Sequence, residues 1–149
     1  MTVRLTTALF DPGALLAEFS AGRAETGAVV TFTGIARASD GQVERLELEA
    51  YPGFTDAEIE RIAGATKARF SLHDVLIVHR HGEIAPGEAI VFVATAAAHR
   101  RAAFQAADLL MDYLKSRAPF WKKEHGPDGA RWVEPTDQDL TDAKRWDEA

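Results

Sequence analysis

The sequence contains no cysteine, which excludes disulfides, a thiolate nucleophile and any zinc site built on sulfur from this chain. Sulfur chemistry would need a donor from outside. Long hydrophobic runs are missing too: the longest, AIVFVATAAA at 89–98, is about half of what a membrane-crossing helix requires. The opening MTVRLTTALFDPG has no apolar segment behind a basic one. A cytoplasmic location with no membrane partner is the expectation. Positive charge is in deficit, with 17 Lys and Arg against 23 Asp and Glu for a net charge of −6. That balance argues against a nucleic-acid partner, which demands a broadly basic surface. A chain of 149 residues does suffice for a single domain, 1–149, that buries well over half of its unfolded surface without a metal or a disulfide.

What is present is a local concentration of cations on one amphipathic stretch, AAAHRRAAFQAADLLMDYLKSRAPFWKKE at 96–124. Phe104, Ala107, Leu110, Met111 and Leu114 recur at spacings of three and four, which predicts a helix over 101–115 with that stripe in the core. His99, Arg100 and Arg101 open the helix, where an acidic or hydroxyl residue would be preferred at the positive end of the dipole. An anion bound there, phosphate or carboxylate, would account for the violation. Pro119 ends the helix just after Lys115. Alternation along Phe120-Trp121-Lys122-Lys123 then puts the two lysines on opposite faces. Any one of these cations alone would be a solvated surface charge; their clustering points to a site.

The remaining stretches read as scaffold. A strand over 2–9 leads to Asp11-Pro12, an N-cap and first helical residue, with Leu15, Leu16 and Phe19 inward and Gly22 ending the helix. Residues 27–37 form an apolar strand that ends at Arg37, which can face a site. Leu46, Leu48 and Ala50 alternate with Glu47 and Glu49 over 43–50, an antiparallel strand with one wet face. Thr55 and Glu58 make a capping box for a helix with Ile59, Ile62, Ala63, Thr66 and Phe70 on one face. Strands over 73–80 and 89–97, the second one central, flank an irregular connection at 81–88. His73, His79 and His81 lie close together without a supporting ligand motif, so no metal is expected. Strands over 120–124 and 130–134 form a hairpin that carries Lys122 back towards the helix end. The tail, 136–149, is a loose or short helical segment that Trp146 could dock. The sum is an α+β fold with a mixed, largely antiparallel sheet and three helices.

The stretches FTGIAR (32–37), LELEAYPGF (46–54), VHRHGEIAPGE (78–88), AAAHRRAAF (96–104), MDYLKSRAPFWKKE (111–124) and RWVE (131–134) resemble the large, catalytic subunit of molybdopterin synthase. The likeness is dense over 27–134, with LKSRAPFWKKE its most specific part. It implies an α/β-hammerhead fold and a homodimer with a small ubiquitin-like subunit at each end, a heterotetramer in which the small subunit's Gly-Gly tail enters the active site. It also implies a sulfurtransferase reaction without a resident cofactor. Sulfur from the small subunit's terminal thiocarboxylate passes twice to cyclic pyranopterin monophosphate, making the dithiolene of molybdopterin. By the same likeness Lys115 is the catalytic lysine and Lys122 its neighbour, with Arg37, His99 and Arg100 as substrate-anion contacts and Lys123 and Glu124 beside them. One position departs: Ile35 stands where the family often carries a basic residue. The chain ends Asp147-Glu148-Ala149 without Gly-Gly, so the sulfur carrier is expected to be another chain.

Such chemistry brings two anions together, and concentrated positive charge lowers their repulsion. Like charges crowding Lys115 would favour its neutral amine, able to act as base or nucleophile. Apolar walls such as Phe120 or Met111 would hold the pterin. Two other classes fit the same cluster: a noncatalytic module that clasps the tail of a ubiquitin-like protein, and a sensor of a phosphorylated ligand with no protein partner.

Overall fold

The computed structural model describes residues 1–147. In chain order the elements are β1 (Thr2–Thr6), α1 (Pro12–Ser20), β2 (Ala28–Ile35), β3 (Arg45–Glu49), α2 (Thr55–Arg69), β4 (Asp74–Arg80), β5 (Gly82–Ile84), β6 (Ala89–Ala97), α3 (Arg100–Ser116), β7 (Trp121–Gly126), β8 (Gly129–Val133) and α4 (Asp137–Lys144). They make an α+β fold with two four-stranded sheets, ordered β1-β4-β6-β2 and β5-β3-β7-β8. Every pairing is antiparallel except β1 with β4.

The near-continuous apolar runs of β4 and β6 follow from burial on both faces, because alternate residues must then all be apolar. Val75, Ile77, Val91 and Val93 face α2 and α3, while Leu76, Val78, Phe92 and Ala94 face Leu15 and Phe19 of α1. Thr95 is the polar exception on β6, and its buried hydroxyl donates to the Ala103 carbonyl at 2.8 Å, tying α3 to the strand. The second sheet is wet on one side. Leu46, Leu48 and Ile84 pack with Ala36 and Val43 into a separate small core, and Glu47 and Glu49 point away from it.

Several expectations need correction. There are four helices, not three, because Thr136 and Asp139 form a reciprocal capping box that starts α4 inside the tail; Glu148 and Ala149 lie outside the described residues. The strands divide into two sheets instead of one, and the connection at 81–88 contains the short strand β5, paired with β3. Leu16 is 41% exposed, since Leu15 and Phe19, one turn apart, already span the narrow contact with the sheet. Phe104 is 60% exposed: the buried stripe of α3 runs through Ala103, Ala106, Ala107, Leu110 and Leu114, one step round the helix. Thr55 does not cap α2. It is the helix's first residue, and its buried hydroxyl accepts from the Tyr51 N–H at 2.9 Å and donates to the Pro119 carbonyl at 3.0 Å. That bond fixes the turn between α3 and β7, the segment that delivers Lys122.

Candidate active site

Register decides where the hairpin lysines go. In the β3–β7 pair Lys122 lies opposite Leu48, Lys123 opposite Glu47 and Glu124 opposite Leu46. Directly opposed residues share a face, so Lys122 and Glu124 stand on the apolar side of the sheet and Lys123 on the other, as alternation predicts. On that other side the Lys123 ammonium lies 5.2 Å from the ring of Trp132, while Glu124, on the apolar side, is ion-paired to Arg131 at 3.2 Å.

Lys122 opens into a cavity of about 730 Å³ whose wall also includes Lys115, from the last turn of α3, together with Met111, Phe120, His79 and Asp139. The volume suits a small organic ligand. Gly34 is part of the wall, and a Cβ there would come within 2.8 Å of Val91 Cγ1. Ile35, the departure from the family pattern, also borders the cavity and is 55% exposed, so this edge offers an apolar contact instead of a charge.

Half-burial pushes the pKa of Lys122 down, and the ammonium of Lys115 adds to the effect. Glu124 and Asp139 act in the opposite direction, and Arg37 contributes a further downward push. Arg37, Lys115 and Lys122 therefore form one electrostatic group, with Arg37 exposed just beyond the end of β2.

His99 and Arg100 do not join that group within one chain. His99 is the N-cap of α3, with extended backbone and no side-chain cap, and His99, Arg100 and Arg101 are all exposed. Lys115 follows Arg100 by fifteen residues on a continuous helix, a separation of about 22 Å along the axis. The first N–H groups of the helix receive no side-chain cap from His99 at this end.

Two wall residues were not singled out as site residues from sequence. For His79 the signal in the sequence is an imidazole that follows the apolar run Val75–Val78 on a strand. Its neighbours point elsewhere: His73 Nδ1 meets the Thr26 hydroxyl at 2.8 Å, and no group of three metal-ligating side chains occurs among the described residues. Asp139 was legible only as a capping residue three places after Thr136.

Residues 5–117 match the family model described as MoaE protein. The chain belongs to the MoaE family. Among its relatives, the molybdopterin synthase catalytic subunit of Caulobacter vibrioides is 69% identical over 148 residues, covering 99% of each chain. That of Mesorhizobium japonicum is 54% identical, covering 97% of this chain and 92% of its own. Among solved structures, the MoaE protein of Burkholderia ambifaria matches with a TM-score of 0.83 at 43% identity over 99% of both chains. Molybdopterin synthase from Staphylococcus aureus gives 0.78 at 29% identity, covering 87% of this chain and 94% of that one. As a MoaE-family chain of this kind it is a sulfurtransferase enzyme of molybdenum cofactor biosynthesis. No helix among the described residues is long and apolar enough to cross a membrane.

Proposed function

We propose that this chain transfers sulfur, in the cytoplasm, from the thiocarboxylated Gly-Gly terminus of a small ubiquitin-like subunit to cyclic pyranopterin monophosphate. Two transfers give the dithiolene of molybdopterin. The observation that carries the reading is the convergence of Lys115 and Lys122, from separate elements, in one cavity with Met111 and Phe120 as apolar walls. A phosphate and a thiocarboxylate need such a place. Each charge-assisted hydrogen bond contributes roughly 1.5 to 3 kcal/mol, whereas association costs on the order of 4 to 15 kcal/mol. Three contacts alone bind weakly, so the apolar walls hold the ring system while the cations hold the charges.

The roles divide accordingly. Lys115 is the catalytic lysine beside the reacting atoms, and Lys122, its pKa lowered by burial, gives up a proton more readily than a solvated lysine does. Arg37 offers charge at the rim, with Lys123 and Glu124 beside the hairpin. His99 and Arg100 serve the substrate's anion from a second copy of the chain, since a rigid helix separates them from Lys115 of their own copy. A homodimer with one small subunit at each end follows.

Purified chain, thiocarboxylated carrier and cyclic pyranopterin monophosphate are expected to yield molybdopterin. Lys115→Ala should keep its fold and its carrier binding and form none. Carrier binding without product from the wild-type chain would instead establish a noncatalytic clasp for the carrier's tail.

A further inference from the structure

His79 is a wall residue to which the reaction as proposed gives no task. Its ring lies flat against Phe120, with centroids 4.0 Å apart and an interplanar angle of 19°. Nδ1 lies 2.8 Å from the Arg80 carbonyl oxygen. A carbonyl only accepts, so Nδ1 carries the proton and donates, which leaves Nε2 as a bare lone pair. Nε2 has no hydrogen-bond partner among the described residues, yet it is not sealed: only Thr66 Oγ1 and Arg80 Nε are both unpartnered and shut off from solvent there. His79 lines the cavity. Burial pushes the ring's pKa down to about 4, with Lys115 and His81 assisting and the Arg80 carbonyl opposing. At neutral pH the imidazole adds no charge beside the lysines.

We propose that Nε2 of His79 is a substrate-positioning acceptor, taking a hydrogen bond from a ring N–H of the pterin while the cations of the site hold its phosphate. The proposal rests on the function given above and deepens it. A wall of ammonium groups binds anions and cannot receive an N–H, whereas a rigid neutral acceptor can. Stacking on Phe120 and the Arg80 bond fix its direction, so it selects a heterocycle with a donor edge over an equally charged sugar phosphate. The same fixation makes it a means of setting which carbon faces Lys115.

The chain with 15N-labelled histidine and no carrier present reads this without turnover. On addition of cyclic pyranopterin monophosphate, the unprotonated His79 Nε2 resonance should move upfield as it accepts a hydrogen bond; an unmoved resonance at saturating substrate overturns the proposal. In the full assay, His79→Phe keeps the stacked shape without the acceptor and should raise KM for the pterin about tenfold with kcat within about twofold. His79→Gln, which can restore an acceptor, should recover most of that loss. An unchanged KM in His79→Phe, or equal losses of kcat and melting temperature in both variants, assigns His79 to packing alone. Absence of molybdopterin with the wild-type chain would defeat the proposed function itself, a result separate from these.

Discussion

Both ends of α3 carry cations, but the fold treats them differently. The C-terminal end is enclosed: Lys115 meets Lys122 across a cavity, and Thr55 ties down the turn between them. The N-terminal end is open, with His99, Arg100 and Arg101 exposed around an uncapped set of N–H groups. One end lines a cavity. The other is a surface that needs something brought to it, and about 22 Å of helix keeps the two apart in one chain. On the proposed function, a second copy of the chain joins the two ends.

The sharpest way to break the enclosed end is Lys115→Ala, for which product formation should fall by at least about a thousandfold, with circular dichroism and carrier affinity unchanged. Acid probes the same end next. His79 titrates near 6.5 when unfolded and about 4 when folded, so between those values the unfolded state binds more protons and stability rises with pH. Its contribution is complete above about pH 6.5 and is lost as pH falls towards 4, about 3 kcal/mol at most. Urea unfolding across that window should show a steeper slope in wild type than in His79→Phe. Thr55→Val should cost about 1 to 3 kcal/mol in urea midpoints, because the Pro119 carbonyl loses its donor. At the open end, Arg100→Ala should leave stability untouched and raise KM about tenfold, with kcat largely kept. An unchanged KM would remove Arg100 from the anion site.

Much of this was legible in the residues. The period of 101–115 and the run at 89–97 mark the central helix and strand, because deep burial forces a pattern that local effects do not override. Alternation also put Lys122 and Lys123 on opposite faces, and the register bears that out. Short or conditional elements were harder. β5 has three residues and exists by pairing with β3, and Thr55 gave up a capping role for a partner 64 residues away. The neighbourhood of His99, Arg100 and Lys115 in sequence was misleading, since the helix that joins them also holds them apart. Its length alone contained the correction.

A shared site makes a direct demand on mixed assemblies. Lys115→Ala and Arg100→Ala chains, unfolded together and refolded at equal amounts, would form dimers in which one site regains both an intact Lys115 and an intact Arg100. With substrate limiting, turnover should return to about one quarter of wild type, the share of intact sites in a randomly paired population. Turnover no higher than the mean of the two variants measured separately would show that each site draws both residues from one chain, and would contradict the account.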